Sequence, residues 1–176
     1  MLNKHPQIQY LFLPYETSKF TVTKSINSIL RICHSPTNRY YKGTNDIVPI
    51  CKKLEKEGLI EFILIENKDH QEVIQQKQKC DILIDQIHNR GGWGYGMNSV
   101  EGLSMGLVCM TELVQEYRKF IPDHPFVNIT KDTLELEIKK LNSDRNSLML
   151  KKYAGKKWVE KKHDSMNTVQ NLYSYY

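Results

Sequence analysis

The sequence predicts an α/β domain built around a doubly wound, mostly parallel sheet of the Rossmann-like type. Two observations lead to this fold class: continuous apolar runs, typical of strands buried on both faces, and helical segments that separate each run from the next. The length of 176 residues suits one such domain with a core of its own. No internal repeat or low-complexity segment interrupts the alternation.

Five apolar runs are predicted as the strands of the sheet. The first run, SILRICHSP, is stopped by Pro36, because proline cannot donate to a strand ladder. The other four, in chain order, are IEFILIE, DILID, LVCM and FVNI. In an open parallel sheet the ligand binds beyond the carboxyl ends of the strands. The loops at 35–44 and 88–96 are therefore predicted to share one rim.

Six helices are predicted from hydrophobic periodicity. The first has Thr44 or Asn45 as its cap and Gly58 as its stop. Pro49 lies in its first turn, where a missing backbone donor costs least. The preceding segment TNRYYKGT is predicted as a loop. The predicted helices cover residues 46–57, about 69–79, 97–105, 112–120, 131–141 and 144 to about 162.

The last of these helices is amphipathic, with Leu150, Tyr153, Ala154 and Trp158 on one arc. The net charge of +5 comes largely from this third of the chain, where lysines recur in pairs every five residues. That repeat spreads them around the helix axis, so a solvated helix surface is predicted. Contact with nucleic acid or an acidic membrane is the alternative, and it would need charge clustered on one face. The lysines are Lys151, Lys152, Lys156, Lys157, Lys161 and Lys162.

Nothing in the sequence indicates a membrane span or a secretion signal. No apolar run approaches the roughly 20 residues that a spanning helix needs. The early segment QYLFLPYE has a short apolar core and no small-residue cleavage site. A cytoplasmic location is the resulting expectation. Residues 1–27 are interpreted as a lead-in segment, 28–163 as the ligand-binding domain and 164–176 as a C-terminal tail or helix.

The cysteines are expected to be free buried thiols. They are widely spaced, and no pair of cysteine or histidine residues has the spacing of a zinc site or a disulfide framework. No zinc site and no disulfide framework is therefore expected. The four cysteines are Cys33, Cys51, Cys80 and Cys109.

A glycine-rich turn after the third predicted strand is the strongest functional signal. Gly91, Gly92, Gly94 and Gly96 fall within six positions, directly before a predicted helix. Free backbone amides at such a turn and helix N-terminus form a site for phosphate or diphosphate. Glu101 in the second helical turn would repel a phosphate but would accept hydrogen bonds from nearby ribose or sugar hydroxyls. A flexible surface loop is the alternative interpretation.

Four segments carry a resemblance to a known family. They are HSPTNRYYKGT, KCDILIDQ, GYGMNSVEGLSMGLVCM and HPFVNIT. In this combination and order the chain, from about residue 29 to 163, resembles the C-terminal, donor-binding domain of GT-B fold glycosyltransferases. It is most similar to the large retaining group 1, glycosyltransferase family 4. The resemblance implies binding of a nucleotide diphosphate sugar as substrate, with no metal ion and no cofactor.

The resemblance also implies a set of donor-binding residues. Arg39 and Lys42 match the basic pair that grips the donor diphosphate, a task suited to charge-assisted hydrogen bonds. Without the resemblance, solvated loop charges would be the ordinary interpretation of both. Glu101 matches the glutamate that binds the ribose hydroxyls. The implied donor-binding residues are Arg39, Lys42, Gly94, Gly96, Met97, Asn98, Ser99, Val100 and Glu101.

Three departures from the family pattern shape the functional hypothesis. Trp93 stands where the family has the glutamate that handles the transferred sugar, and it is a candidate for stacking on a sugar face. Only residues 67–79 stand where the family has an extra strand and a base-reading loop. The acceptor-binding N-terminal domain has no counterpart. No catalytic residue is identified, and sugar transfer is expected to need a partner chain or homo-oligomer that supplies an acceptor domain.

Two other functions remain open. One is a non-catalytic interaction module that keeps the glycosyltransferase fold. The other is a doubly wound domain for a different phosphate ligand, since a fold does not fix a function. A nicotinamide enzyme is disfavoured because no complete GxGxxG motif follows the first strand. No nucleic acid partner and no membrane span is expected.

Overall fold

The sheet has five parallel strands in the order β2-β1-β3-β4-β5. The computed structural model describes residues 11–22, 25–91 and 94–174. Helices cover both faces of the sheet, so the doubly wound, Rossmann-like fold class predicted from the sequence is confirmed. The strands are β1 Leu30–His34, β2 Ile60–Leu64, β3 Ile82–Gln86, β4 Val108–Thr111 and β5 Val127–Asn128.

The strand order places a switch point between β1 and β3. Ile32 pairs with Phe62 of β2 on one side and with Ile82 of β3 on the other. The chain therefore moves outward from β1 to β2 and then returns past β1 to start β3. Ligands in open α/β sheets bind at such a point, beyond the carboxyl ends of the strands.

Eight α-helices are described, together with a short 3-10 turn at Thr17–Lys19. Six of them match the predicted helices within a few residues at each end. The bounds are α1 Arg39–Lys42, α2 Thr44–Lys56, α3 His70–Lys77, α4 Met97–Ser104, α5 Gln115–Phe120, α6 Leu134–Ser143, α7 Arg145–His163 and α8 Ser165–Tyr173.

The short helix α1 lies in the segment that was predicted as a loop. The Asn38 side chain caps it by accepting hydrogen bonds from the amides of Tyr40 and Tyr41. Gly43 then ends α1 with φ 68° and starts α2. A Cβ atom at Gly43 would lie 2.5 Å from Ile87 Cγ1, so glycine is required both for the turn and for the close approach.

The apolar core has two parts because strand side chains alternate between the two faces. One part joins Ile32 and Ile84 to helices α2 and α6. The other joins Leu83 to Val100 of α4 and Trp158 of α7. The expectation of free buried thiols is confirmed, since all four cysteines are buried and unpaired.

The buried face of α7 differs from the predicted arc. Trp158 is buried as expected, but Leu150 is 71% exposed and Tyr153 and Ala154 are also exposed. Gly155 lets α7 approach α4 closely, since a Cβ atom there would lie 2.8 Å from Leu103 Cδ2. The close helix contact, which the spacing of apolar residues does not reveal, determines the face that is buried.

Two lysines of α7 are buried, so the prediction of a fully solvated lysine set is wrong for Lys152 and Lys156. Lys156 Nζ donates to three backbone carbonyl oxygens, those of Thr17, Phe20 and Ser104. Two of these belong to the segment interpreted as a lead-in, which thereby packs against α7. No helix in the described part of the chain has the length and apolarity needed to cross a membrane.

Candidate functional site

The candidate site is a cavity of about 540 Å³ at the carboxyl edge of the sheet, next to the switch point between β1 and β3. We name it the α4 cavity. It is lined by the N-terminal part of α4, by Lys42 of α1 and by residues at the start and end of α3. The residues used below are Lys42, Lys68, His70, Lys77, Gly96, Met97, Asn98 and Glu101.

The N-terminus of α4 presents backbone donors to this cavity. Gly96 is extended and its carbonyl oxygen accepts from the amides of Ser99 and Val100. Within the described residues, the amides of Met97 and Asn98 have no acceptor. The first amides of a helix have no partner inside the helix and carry the positive end of its dipole. This end of α4 is therefore suited to bind an anion.

Lys42 is held at the floor of the cavity by Asp85. Lys42 Nζ lies 2.5 Å from Asp85 Oδ1 and 3.2 Å from Gln86 Oε1, and the lysine side chain is 14% exposed. An ammonium group has three hydrogen-bond donors. Two are used by these side chains, so one remains for a ligand in the cavity.

Asp85 is a fully buried carboxylate that ties three elements of the rim together. Besides Lys42, it accepts from Asn98 Nδ2, Ser99 Oγ and the Gly96 amide. The β3–β4 register shifts between Ile84 and Gln86, a bulge-like irregularity at Asp85. Such an irregularity can redirect a side chain. Burial opposes the charge of Asp85, but Lys42 and the hydrogen bonds from Asn98 and Ser99 outweigh burial and lower its pKa.

Glu101 is paired with a buried lysine. Its Oε2 accepts from Lys77 Nζ at 2.8 Å, while its Oε1 lies 3.7 Å from His70 Nε2. The Glu101 side chain is 13% exposed, whereas that of Lys77 is only 2% exposed. One carboxylate oxygen is thus fixed by the fold. The other remains available at the cavity surface.

Arg39 does not join Lys42 in the α4 cavity. Its Nη1 contacts both carboxylate oxygens of Glu66, at 2.6 and 2.8 Å, and its side chain is 49% exposed. It lines an adjoining cavity of about 560 Å³, which we name the Arg39 cavity. The two cavities share Ser35, Thr37, Lys68 and Val73.

Some of the other residues predicted to bind the sugar donor line the α4 cavity, and the rest lie in the core. Gly96, Met97 and Asn98 line the α4 cavity, whereas Ser99 and Val100 are buried beneath it. Gly94 has φ 63°, and a Cβ atom there would lie 2.7 Å from Leu113 Cδ2. It is needed for packing against the β4–α5 connection. Trp93, predicted to contact sugar, lies outside the described residues.

His34 joins the strands beneath the site to the start of α2. Its Nδ1 lies 2.8 Å from the Ile84 carbonyl oxygen, and its Nε2 lies 2.8 Å from Thr44 Oγ1. A carbonyl only accepts, so Nδ1 donates and Nε2 accepts from the Thr44 hydroxyl. Burial lowers the pKa of His34 to about 4, so the ring is neutral at pH 7.

Sequence reasoning missed Asp85 and Lys77. Asp85 carried a usable signal, since it is an acidic residue at the end of an apolar strand directly before the glycine-rich turn. Lys77 carried none, because it is one of several polar residues in a polar helix. No group of three metal-ligating side chains occurs among the described residues.

No family model and no curated protein matches this sequence. Solved structures do match it. The Anabaena HepE structure in complex with UDP-glucose has a TM-score of 0.64 and 10% identity, covering 92% of this chain and 56% of HepE. The structure of a mutant of S. aureus TarM, in complex with Fondaparinux, alpha-GlcNAc-glycerol and UDP, has a TM-score of 0.67 and 8% identity. The match covers 99% of this chain and 41% of TarM.

A third similar structure is an alpha-glucosyltransferase in complex with UDP-glucose and DNA containing an abasic site. It has a TM-score of 0.66 and 12% identity, covering 97% of this chain and 59% of its own. The chain thus spans between two fifths and three fifths of these neighbours. At such low identity the likeness establishes the fold, and the chain has the Rossmann-like fold found in GT-B glycosyltransferases.

Proposed function

We propose that the α4 cavity binds a nucleotide diphosphate sugar and that the chain is the donor-binding part of a glycosyltransferase. One observation carries the proposal: three kinds of group converge on one cavity, namely an open helix N-terminus, the Lys42 ammonium and the Glu101 carboxylate. The first two suit the diphosphate, and the third suits hydroxyl groups. A nucleotide diphosphate sugar combines both chemistries within one molecule.

The diphosphate would lie over the amides of Met97 and Asn98, within reach of the third Lys42 proton. These donors supply the positive potential, so the proposal includes no metal ion. The ribose would lie against Glu101, where Oε1 accepts from a hydroxyl group. Similar structures that contain UDP or UDP-glucose support uridine diphosphate as the first ligand to test.

Sugar transfer is proposed to need a second domain or a partner chain. The chain matches between 41% and 59% of the length of the similar structures. An acceptor hydroxyl must be oriented against the donor for transfer to occur, and a cleft between two domains provides that orientation. We therefore propose donor binding for this chain, with slow transfer or none when it is isolated.

Isothermal titration of the purified chain with UDP, GDP and UDP-glucose tests the proposal. Uridine ligands are expected to bind with a Kd between roughly 1 μM and 1 mM, equivalent to about 4 to 8 kcal/mol. Glu101→Ala is expected to weaken binding at least about tenfold, through loss of a charged hydrogen bond. Glu72→Ala is the matched control, because Glu72 is an exposed carboxylate on neighbouring helix α3. Absence of heat and of a thermal shift at millimolar ligand would refute donor binding.

A non-catalytic interaction module is the second candidate function. The observation that favours it is the exposed apolar surface of α8, where Met166, Val169 and Tyr173 recur at helical spacing. Under this alternative the α8 face pairs with a second copy of the chain, and the α4 cavity binds no nucleotide. Sedimentation that shows a dimer, combined with silent titrations, would favour it over donor binding.

A further inference from the structure

Lys77 is an almost completely buried cation beside the α4 cavity. It lies in the last turn of α3, and its ammonium group donates a hydrogen bond to Glu101 Oε2. A buried ammonium without a partner would cost several kcal/mol. The Lys77–Glu101 pair is therefore fixed by the fold rather than formed by chance at the surface.

This pairing determines which oxygen of Glu101 can accept hydrogen bonds from a ligand. A carboxylate has two oxygens and about four lone-pair sites, and Lys77 occupies part of one oxygen. The remaining acceptor capacity faces His70 and the cavity. The side chain is consequently held in one orientation before any ligand arrives, which reduces the entropy lost on binding.

The lysine also alters the charge that a ligand encounters. An unpaired carboxylate near the start of α4 would repel a diphosphate bound at Asn98. Lys77 compensates that charge from the buried side, while the carboxylate keeps its capacity to accept hydrogen bonds. Hydroxyl recognition and diphosphate binding thereby become compatible within one cavity.

We infer that Lys77 is a positioning residue that makes Glu101 select ligands with ribose hydroxyls over ligands without them. The inference rests on the proposed function and deepens it, because it assigns a role in ligand selection to the buried partner of Glu101. It concerns the orientation of Glu101 by Lys77, whereas the groups proposed to donate to the diphosphate are Lys42 and the α4 amides. The two ideas therefore fail separately.

The test compares UDP with 2′,3′-dideoxyuridine diphosphate in each variant. The wild-type protein is expected to bind UDP at least about tenfold more tightly, as expected for charge-assisted hydrogen bonds. In Lys77→Met the ratio of the two affinities is expected to fall to about two or less. The same fall is expected in Glu101→Gln. The Lys77→Met, Glu101→Gln double variant loses no further selectivity, because the two residues act as one unit.

Lys68→Met is the matched control, since Lys68 lines the same cavity but is exposed and does not contact Glu101. It is expected to weaken both ligands and leave their ratio unchanged. Lys77→Arg, which keeps the charge and the donors, is expected to recover selectivity. Lys77→Leu, which also removes the charge and the donors, replaces Lys77→Met if that variant does not fold.

A wild-type ratio retained in folded Lys77→Met, or in Lys77→Leu when it replaces that variant, would overturn the inference and leave donor binding intact. A wild-type protein that binds neither nucleotide would overturn both. A loss of affinity for both ligands in Lys77→Met, at a constant ratio, would mean that Lys77 compensates the charge of Glu101 without orienting it, and would overturn the inference.

Discussion

The two enclosed lysines of the α4 cavity and the two buried lysines of α7 differ in the groups that accept their hydrogen bonds. Lys42 and Lys77 each meet a carboxylate, and each lines the cavity. Lys156 instead donates to three backbone carbonyl oxygens, and Lys152 reaches the Ser25 carbonyl oxygen and Asp81. The first pair lies at the carboxyl edge of the sheet. The second pair joins the segment before β1 to the last long helix.

The difference shows that burial of a charge does not by itself indicate function. A lysine bonded to backbone carbonyls has used its donors on the fold. At the cavity, Lys42 keeps one donor for a ligand, and Lys77 leaves Glu101 with a free oxygen. We expect α7 lysines to affect stability alone, and cavity lysines to affect stability and binding together.

The largest effect is expected for Lys156→Met. Three buried carbonyl oxygens, those of Thr17, Phe20 and Ser104, lose their donor. We expect the free energy of unfolding to fall by about 3 to 5 kcal/mol in urea titrations. Lys157→Met, at an exposed neighbouring position, serves as control and should change it by less than about 0.5 kcal/mol. Weaker UDP binding by the folded Lys156→Met protein would contradict the division between the two sets.

Acid is expected to lower the free energy of unfolding through protonation of His34, which lies beneath the cavity. Its pKa is about 4 in the folded protein because of burial and about 6.5 when unfolded, so the unfolded state binds more protons between these values. The contribution of His34 to the free energy of unfolding is therefore fully present above about pH 6.5. It falls, by up to about 3 kcal/mol, as the pH is lowered to 4. Unfolding measured from pH 7 to 4 should show a weaker pH dependence in His34→Asn. An unchanged slope there, or an equal effect of exposed His70→Asn, would exclude His34 as the source.

Lys42→Met should separate binding from stability. The ligand loses one charge-assisted contact, so we expect UDP affinity to fall about 10- to 150-fold, or 1.5 to 3 kcal/mol. Stability should fall too, because Asp85 keeps its charge without its cation. Adding Asp85→Asn should restore much of the stability but not the affinity. Recovery of both by the double variant would show that Lys42 only supports the fold.

The smallest effect is expected for Arg39→Ala. The Arg39–Glu66 pair is partly exposed and faces the Arg39 cavity, so its removal should cost less than about 1 kcal/mol of stability. UDP affinity should fall less than in Lys42→Met. A larger loss than in Lys42→Met, measured by the same titration, would mean that Arg39 turns from Glu66 to the ligand phosphate.

Much of the fold could be predicted because its signals are local. Apolar runs identified all five strands, and the stop at Gly58 and the turn before α4 bounded two helices. Hydrophobic periodicity and turn residues act within a few positions of the chain, so a single sequence contains them. The short helix α1 was missed because its cap, Asn38, occurs in a stretch rich in loop residues.

The candidate site could be predicted only in part. Gly96 at the end of the glycine-rich turn, Lys42 and Glu101 were identified from the sequence and do meet at one cavity. Arg39 was grouped with them, yet the structure pairs it with Glu66 in the adjoining cavity. The choice between the two cavities depends on where α1 directs each side chain, which the order of residues in a loop does not specify.

The sequence by itself determined the alternation of strands and helices, the glycine-rich turn before α4 and the presence of a carboxylate on α4. Only the tertiary structure decided which charges are buried and with which partner. Lys42 meets Asp85 from 43 positions away, and Lys156 meets Thr17 from 139 positions away. A charge is tolerated in the interior only where a partner compensates it, and the partners of these lysines are brought to them by the packing of the whole domain.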